Sequence, residues 1–335
     1  MPRSPTSDLQ PPTSDLRCYT SATMTLTRRE LGKLILTVPA AGLLSNDAIA
    51  AILAAKPDSK WAGVQIGMNV PYNYGVRTMP VDEVIAKTVQ LGVNAVELRS
   101  QPVELALGVP MTVLEPGREK PAQQKAALDL REWRLKSDPS KAAAVRKQFD
   151  DAGIKVDIIK YDGIYDFSDP ELDYAFALAK AMGARAISCE LDVDGSKRVG
   201  QFADKHKVWV GYHGHTKASP AMWEQAFGYA KFNGANLDIG HFVAGDFGSP
   251  LPFLKAHHDR ITHIHIKDRK AHEGDNTPFG LGETPITAVL QTLRDNKWPI
   301  QATIEFEYKV PEGSDRMAEM TKAIAYCKNA LLSKT

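Results

Sequence analysis

Short apolar runs alternate with amphipathic segments along the chain from residue 62 onward. The apolar runs predict β-strands at 63–68, 94–98, 155–160, 185–190, 208–213, 235–239, 261–267 and 301–307. The segments between them predict helices at 80–91, 139–152, 169–182, 219–231, 285–295 and 315–332. Eight strands that alternate with helices predict an α/β fold, a (β/α)8 TIM barrel that forms a single domain over residues 51–335. A doubly wound open sheet is the alternative, and it is disfavoured because no Gly-x-Gly-x-x-Gly turn follows the first strand.

A long insertion, roughly 101–138, separates the second predicted strand from its helix. It is rich in charged residues and contains Pro102, Pro110, Pro116 and Pro121. Long loops in compact domains are often functional lids. We therefore expect this insertion to cover the mouth of the barrel.

Polar residues recur at every second position near the ends of the later strands, and alternate side chains of a strand point to opposite faces. In 261–267, His263, His265 and Lys267 share one face, while isoleucines occupy most of the other. We expect the apolar face to lie under the helices and the polar face to point into the barrel. The same alternation predicts inward positions for Ser188, Glu190, Gly211, His213, His215, Asn236, Asp238, Thr303, Glu305 and Glu307. Unpaired buried carboxylates are costly, so this interior requires a compensating cation.

Four of these inward residues stand at the C-terminal tips of their strands, namely Glu190, Asp238, His265 and Glu305. A parallel barrel gathers its strand tips around one mouth. Two Glu, one Asp and one His suit a divalent metal, with Mn²⁺ the first choice and Mg²⁺, Co²⁺ or Zn²⁺ left open. Taken singly, Glu190 also fits a structural salt bridge, and Asp238 also fits a helix N-cap.

Several motifs of residues 62–330 resemble those of the xylose isomerase-like barrel superfamily, often called sugar phosphate isomerases/epimerases. The most specific are Leu237-Asp238-Ile239-Gly240-His241-Phe242 and His263-Ile264-His265-Ile266-Lys267-Asp268. The loop Pro278-Phe279-Gly280-Leu281-Gly282-Glu283 and the strand end Ile304-Glu305-Phe306-Glu307 add to the resemblance. These motifs are specific for the superfamily and carry little information about the substrate.

The resemblance implies roles for four residues. In the similar epimerases, the Asp of the Leu-Asp-x-x-His motif binds the metal and its His touches the substrate, which here are Asp238 and His241. The second His of His-x-His is the usual ligand, which gives His265. The Glu that ends the last strand binds the metal and exchanges protons, which gives Glu305.

The fifth strand departs from this pattern. Many relatives carry a metal-binding Glu there, whereas this chain has Tyr212-His213-Gly214-His215-Thr216. A Tyr-His-x-His segment resembles inosose dehydratases, which eliminate water beside a ketone. Glu190, one strand earlier, is then expected to supply the missing carboxylate, and His213 or His215 to act as a ligand or as the general base.

The implied chemistry removes a proton from a carbon next to a carbonyl group. A metal that binds the carbonyl oxygen stabilises the resulting enediolate, and a carboxylate or imidazole accepts the proton. The choice of base stays open among Glu190, His213, His215 and Glu305. The predicted catalytic residues are Glu190, His213 and Glu305, and the predicted substrate contacts are His215, His241, Lys267 and Arg99.

We therefore predict an enzyme, a metal-dependent isomerase or epimerase that acts on a sugar or keto-sugar. A lyase or dehydratase that performs β-elimination on a 3-keto-glycoside or related keto-sugar is the first alternative. A non-catalytic sugar-binding protein is the second. A phosphodiesterase like endonuclease IV is disfavoured, because that family uses more metal-binding histidines and no His precedes His206 in this chain.

Residues 1–50 resemble an export signal rather than part of the fold. Residues 1–23 are rich in Pro, Ser and Thr and are expected to be disordered. Paired arginines at Arg28-Arg29 then precede an apolar stretch, 34–44, and a small-residue cleavage site, Ala48-Ile49-Ala50. This order predicts a twin-arginine signal and hence a periplasmic or secreted protein. An amphipathic N-terminal helix is the alternative, and the apolar stretch is too short for a stable membrane anchor.

The composition of the chain limits the classes of binding partner. The chain has 335 residues, 43% of them hydrophobic, which is enough for one barrel of about 250 residues. The formal net charge of +1 disfavours nucleic acid as a partner, and the family resemblance implies a small carbohydrate instead. Three cysteines imply no disulfide framework. A homo-oligomer is left open.

Overall fold

The computed structural model describes residues 56–333, and these form a closed barrel of eight parallel strands. We number them β1 (Val64–Val70), β2 (Ala95–Arg99), β3 (Lys155–Lys160), β4 (Ala186–Glu190), β5 (Trp209–His213), β6 (Asn233–Asp238), β7 (Ile261–Ile266) and β8 (Gln301–Ile304). Each strand pairs in parallel with the next, and β8 pairs with β1, where Thr303 lies opposite Gly67. The predicted single-domain (β/α)8 fold is confirmed, while the twin-arginine signal and the predicted disorder of 1–23 lie outside the described residues.

Helices surround the barrel and cover the apolar face of the strands. They are α1 (Val81–Gln90), α2 (Ser100–Ala106), α3 (Met111–Leu114), α4 (Lys120–Lys136), α5 (Ala142–Asp151), α6 (Asp169–Ala181), α7 (Val193–His206), α8 (Pro220–Phe227), α9 (Ile239–Ala244), α10 (Leu251–His257), α11 (Ile286–Asn296) and α12 (Arg316–Leu332). Three 3₁₀ turns, Tyr72–Tyr74, Pro139–Lys141 and Ile164–Asp166, and three short antiparallel strands, Lys60–Trp61, Asp268–Arg269 and Asn276–Thr277, complete the structure. None of the helices within 56–333 is long and apolar enough to span a membrane.

The alternation along the strands determines what fills the barrel, as the sequence predicts. On β7, Ile264 and Ile266 belong to the hydrophobic core, whereas His263 and His265 contact Glu97 of β2 across the interior. Asn236 of β6 likewise donates to Ser188 of β4 at 3.3 Å. Side chains from non-adjacent strands can meet in this way only inside the barrel. The barrel interior is therefore polar near its C-terminal end.

The insertion after β2 is mostly helical, which differs from the predicted loop. Pro121 lies in the first turn of α4, where proline is favourable because the first amide groups of a helix lack intrahelical partners. Arg134 of α4 forms a buried ion pair with Glu104, and Arg131 contacts Glu171 of α6 at 2.8 Å. The second half of the insertion thus packs against the outer helices rather than over the mouth. Glu115, between α3 and α4, lines a cavity beside the mouth.

Candidate metal and acid–base site

Four side chains converge at the C-terminal ends of the last four strands. His213 ends β5, Asp238 ends β6, His265 lies near the end of β7, and Glu305 follows β8 directly. All four are buried, and each offers a ligand atom within 4.8 Å of the others. We call these residues the four-residue cluster. They meet because parallel barrel strands bring their C-terminal tips to one mouth.

The hydrogen bonds around the cluster leave atoms that face its centre. Asp238 Oδ1 accepts the backbone N–H of His241 at 2.7 Å and so caps α9, while Oδ2 lies 3.2 Å from His213 Nε2. His265 Nδ1 is buried without a hydrogen-bond partner within the described residues, and it lies 3.2 Å from Glu305 Oε2, which contacts the Lys267 ammonium at 2.6 Å. Buried polar atoms normally have partners, so these positions are suited to a cation.

The donor set of the cluster fits a divalent metal. The set contains two imidazole nitrogens and two carboxylates. A mixed nitrogen and oxygen site of this kind suits Mn²⁺, Co²⁺ or Zn²⁺ better than an all-oxygen site does. His265 Nε2 contacts the Glu97 carboxylate, which leaves Nδ1 for the cluster. Metal-binding histidines usually have such an outer carboxylate partner. Asn69 of β1 donates to Glu305 Oε1 at 2.9 Å and holds the fourth member in place.

The predicted ligand set changes in one member, because Glu190 does not share a centre with Asp238, His265 and Glu305. Its Oε1 contacts Lys160 Nζ at 2.5 Å, and its Oε2 lies 2.9 Å from His213 Nδ1. His213 takes its place in the four-residue cluster.

Glu190 belongs instead to a second group with His213 and His215, whose ligand atoms are equally close to one another. Glu190 Oε2 lies 2.8 Å from His215 Nε2, and the His215 side chain is 58% exposed. Burial acts to raise the pKa of Glu190, but hydrogen bonds from His213 and His215 outweigh it and hold this pKa well below its usual range. A carboxylate–imidazole pair therefore stands at the entrance of the site.

Lys267 lies among three carboxylates rather than in an open position. Its Nζ is 2.6 Å from Glu305 Oε2, 2.6 Å from Glu307 Oε2 and 3.1 Å from Asp238 Oδ2. Burial opposes the charged form, yet the neighbouring carboxylates, Asp238 first, raise the pKa of Lys267 above its ordinary value. The ammonium group is therefore the counter-charge of the cluster in this structure. The predicted contact between Lys267 and a substrate stays a prediction.

Two other predicted substrate contacts, His241 and Arg99, have protein partners. His241 lies between Lys267 Nζ at 3.0 Å and Arg269 at 2.7 Å. Burial and the Lys267 charge lower the pKa of His241 to about 3, although the Asp238 carboxylate acts in the opposite direction. Arg99 forms an ion pair with Asp162, and its guanidinium lies 4.9 Å from the centre of the Tyr72 ring. Both therefore border the mouth without pointing freely into it.

Sequence reasoning assigned no role to Lys160 or Asn69, although each contacts a predicted site residue. Lys160 ends β3 and is almost fully buried, and Asn69 occupies the inward face of β1. The sequence pattern could have identified Lys160 and Asn69, because each is a polar residue at an inward position near a strand tip. The prediction placed Arg99 of the second strand and residues of the later strands at inward positions, but not those of the first and third strands.

A family model described as a xylose isomerase-like TIM barrel matches residues 85–330. No curated protein matches the chain. Solved structures do match. An uncharacterized protein from Parabacteroides distasonis ATCC 8503 is 23% identical, with a TM-score of 0.52 over 79% of this chain and 98% of that chain. The 3-keto-D-glucoside 4-epimerase of E. coli is 13% identical, with a TM-score of 0.56 over 79% and 99% of the two chains.

The probable 3-DHS dehydratase AsbF of Bacillus anthracis is 12% identical, with a TM-score of 0.55 over 78% of this chain and 98% of that chain. At these identities the similarity shows a shared fold, and proteins with this fold include both epimerases and a dehydratase. The family model covers well over half of the chain. The chain therefore belongs to the xylose isomerase-like TIM barrel family.

Proposed function

We propose that this protein is a divalent-metal-dependent enzyme that isomerises or epimerises a sugar or keto-sugar. The observation that carries the proposal is the convergence of His213, Asp238, His265 and Glu305 within 4.8 Å of one another at the barrel mouth. Mn²⁺ is the metal we favour. A cation held there would polarise a carbonyl oxygen and so favour loss of the adjacent C–H proton.

The residues around the cluster suit two-sided proton transfer. Glu190 Oε2 lies 2.9 Å from Nδ1 of His213, and Glu305 Oε2 lies 3.9 Å from Nε2 of the same ring. Two carboxylates thus flank one imidazole on opposite sides. We assign one carboxylate to remove the proton and the other to return it to the opposite face, which is the requirement for epimerisation.

A second candidate function is β-elimination from a 3-keto-glycoside. The pair formed by Glu190 and His215 supports it, because an imidazole beside a carboxylate at the site entrance can protonate a leaving group. In this elimination reaction the same C–H proton leaves first. The bond to the substituent beta to the carbonyl group then breaks. The two functions share a first step and differ in the fate of the carbanion.

We also propose that the substrate is a small carbohydrate encountered after export. This part rests on the twin-arginine pattern of the first 50 residues. Sugar phosphates are mostly cytoplasmic, so an exported enzyme would meet unphosphorylated sugars. Cell fractionation with an antibody against the barrel tests it, and retention of the protein in the cytoplasm would contradict it.

The test of the function is proton exchange in D₂O. The Mn²⁺-loaded protein is incubated with keto-sugars and 3-keto-glycosides, and the products are followed by NMR and mass spectrometry. Deuterium uptake without fragmentation supports epimerisation or isomerisation, whereas a released aglycone and an unsaturated sugar support elimination. Sugar binding with no exchange across the panel would replace the proposal by the sugar-binding alternative.

A matched pair of variants separates the acid–base role from structural effects. His215→Asn removes the imidazole that contacts Glu190, one of the two carboxylates assigned to proton transfer, and we expect the loss of this positioning contact to slow exchange by up to about 100-fold, the usual scale for a general acid or base. His257→Asn breaks a similar pair on an outer helix, where His257 lies 3.1 Å from Glu224. This control should exchange at the parental rate. Equal rates in both variants would remove His215 from the mechanism.

A further inference from the structure

A cavity of about 830 Å³ lies beside the barrel mouth, on the side of β1 and β8. Its walls come from the chain after β1, the insertion, the loop before α11, the chain after β8 and the start of α12. Its lining includes Tyr72, Val76, Arg77, Thr78, Asn276 and Glu307. The residues of the four-residue cluster do not line it, so it is a separate compartment.

Two lining side chains have polar atoms that nothing in the described residues satisfies. Thr78 is 7% exposed, and its Oγ1 is buried without a hydrogen-bond partner. Asn276 Oδ1, on another wall of the cavity, is also buried and unpaired. A buried group without a partner costs about 1–3 kcal/mol, so rotation of either side chain towards a ligand that supplies hydroxyl groups would be favourable.

The charged lining residues favour a neutral polyhydroxyl ligand. Neither Arg77 nor Arg316 has a carboxylate within ion-pair distance among residues 56–333, although Arg316 donates to the Asn73 carbonyl at 3.2 Å. Glu115 and Glu307 line the same cavity. An anionic ligand would meet these carboxylates, whereas a sugar ring can accept from the guanidinium groups and donate to the carboxylates.

One ammonium group connects the cavity to the four-residue cluster. Glu307 accepts from Tyr72 at 2.7 Å and from Lys267 at 2.6 Å. Lys267 Nζ is also 2.6 Å from Glu305. The carboxylates of Glu305 and Glu307 are therefore separated by no more than twice that distance. The cavity therefore adjoins the four-residue cluster through Lys267.

We propose that this cavity is a subsite for the second sugar unit of a glycoside, whose oxidised ring occupies the four-residue cluster. The proposal rests on the proposed function and narrows its substrate class from free sugars to disaccharide-like glycosides. The cavity volume agrees with a ligand of two sugar units, because pockets of about 300–1,000 Å³ enclose ligands larger than one sugar ring. The unpaired Thr78 and Asn276 atoms bind hydroxyl groups of that unit.

A cavity-filling variant tests the subsite through binding. Val76 lines the cavity and is 41% exposed, so Val76→Trp fills the space without a change to the cluster. Leu128→Trp adds the same ring at an exposed position on α4 and serves as the control. Calorimetry on the Mn²⁺-loaded chain compares glucose with trehalose, sucrose and lactose.

At least one disaccharide should bind ten times more tightly than glucose, and Val76→Trp should remove that difference while Leu128→Trp retains it. Thr78→Val, which removes one hydroxyl and preserves the shape, should weaken the same disaccharide several-fold. Equal affinity for glucose and all three disaccharides, or no effect of Val76→Trp, would overturn the subsite.

These experiments test the subsite separately from the proposed reaction. If the chain shows no proton exchange but its disaccharide affinity depends on Val76→Trp, the subsite stands and the reaction fails. If exchange occurs equally with 3-keto-glucose and 3-keto-trehalose in the parent and in Val76→Trp, the reaction stands and the subsite fails.

Discussion

Replacement of Lys267 by Met should destabilise the metal-free protein more than any other single loss of a cation at the mouth. The Lys267 side chain is 2% exposed, and its ammonium contacts Asp238, Glu305 and Glu307. The first two of these carboxylates are buried, so solvent does not screen them. Met has a similar length and leaves the three carboxylates without their counter-charge.

The burial of these groups determines how much stability Lys267→Met should lose. Removal of one partner of a buried ion pair costs about 3–5 kcal/mol. For a domain of this size each kcal/mol lowers the melting temperature by roughly 2 °C, so Lys267→Met should melt about 6–10 °C below the parent. A divalent cation at the cluster would replace the lost charge. Added Mn²⁺ should therefore raise the melting temperature of the variant more than that of the parent.

The assay is thermal unfolding followed by circular dichroism, in EDTA and in Mn²⁺. Lys125→Met is the control, because Lys125 is 76% exposed and its ion pair with Asp129 is worth well under 1 kcal/mol. Unfolding of Lys267→Met at the parental temperature in EDTA would refute the reasoning. So would an equal response of the variant and the parent to Mn²⁺.

Three further predictions concern the metal and the pH dependence of stability. Glu97→Gln should weaken metal binding by about 10–100-fold, because it removes the outer partner of His265. Asp238→Asn should weaken it more while α9 stays capped by the amide oxygen, and stoichiometric metal in this variant by elemental analysis would exclude Asp238 as a ligand. Burial acts to raise the pKa of Asp157, but Arg185 and Lys155 together outweigh it, so this pKa lies below its ordinary value of about 3.9. These contacts therefore stabilise the fold above that pH, and the stabilisation is lost as the pH falls. In urea unfolding, Asp157→Asn should destabilise the protein at pH 6 and much less at pH 3, and an equal loss at both would contradict this assignment.

The barrel could be predicted because alternation within strands is a local property of the sequence. The isoleucines and histidines of β7 show it most clearly, and the predicted strand at 261–267 agrees with the observed Ile261–Ile266. The end of β8 was less predictable. Its pairing ends at Ile304 rather than at 307, because the Phe306 N–H donates to the Asn73 side chain instead of to a neighbouring strand. That partner is distant in sequence.

The inward direction of a site residue follows from the same periodicity, but its final partner does not. Glu190 was correctly placed at a strand tip, yet its carboxylate contacts Lys160 of the neighbouring strand β3 and does not reach the centre of the four-residue cluster. His213 could be assigned to the inner face of β5, but its membership of the cluster depends on which side chain reaches the common centre. Such choices depend on contacts between strands, which periodicity within one strand does not encode.

The Lys267 bridge between Glu305 and Glu307 has an energetic consequence. A ligand hydroxyl in the neighbouring cavity that donates to Glu307 weakens the contact between Glu307 and the Lys267 ammonium, and the charge around Glu305 changes with it. Occupation of the cavity and affinity for a cation are then thermodynamically linked, and by reciprocity each must alter the other by the same factor. Under the proposed function, filling of the cavity by a two-ring substrate would therefore change the affinity of the four-residue cluster for its cation.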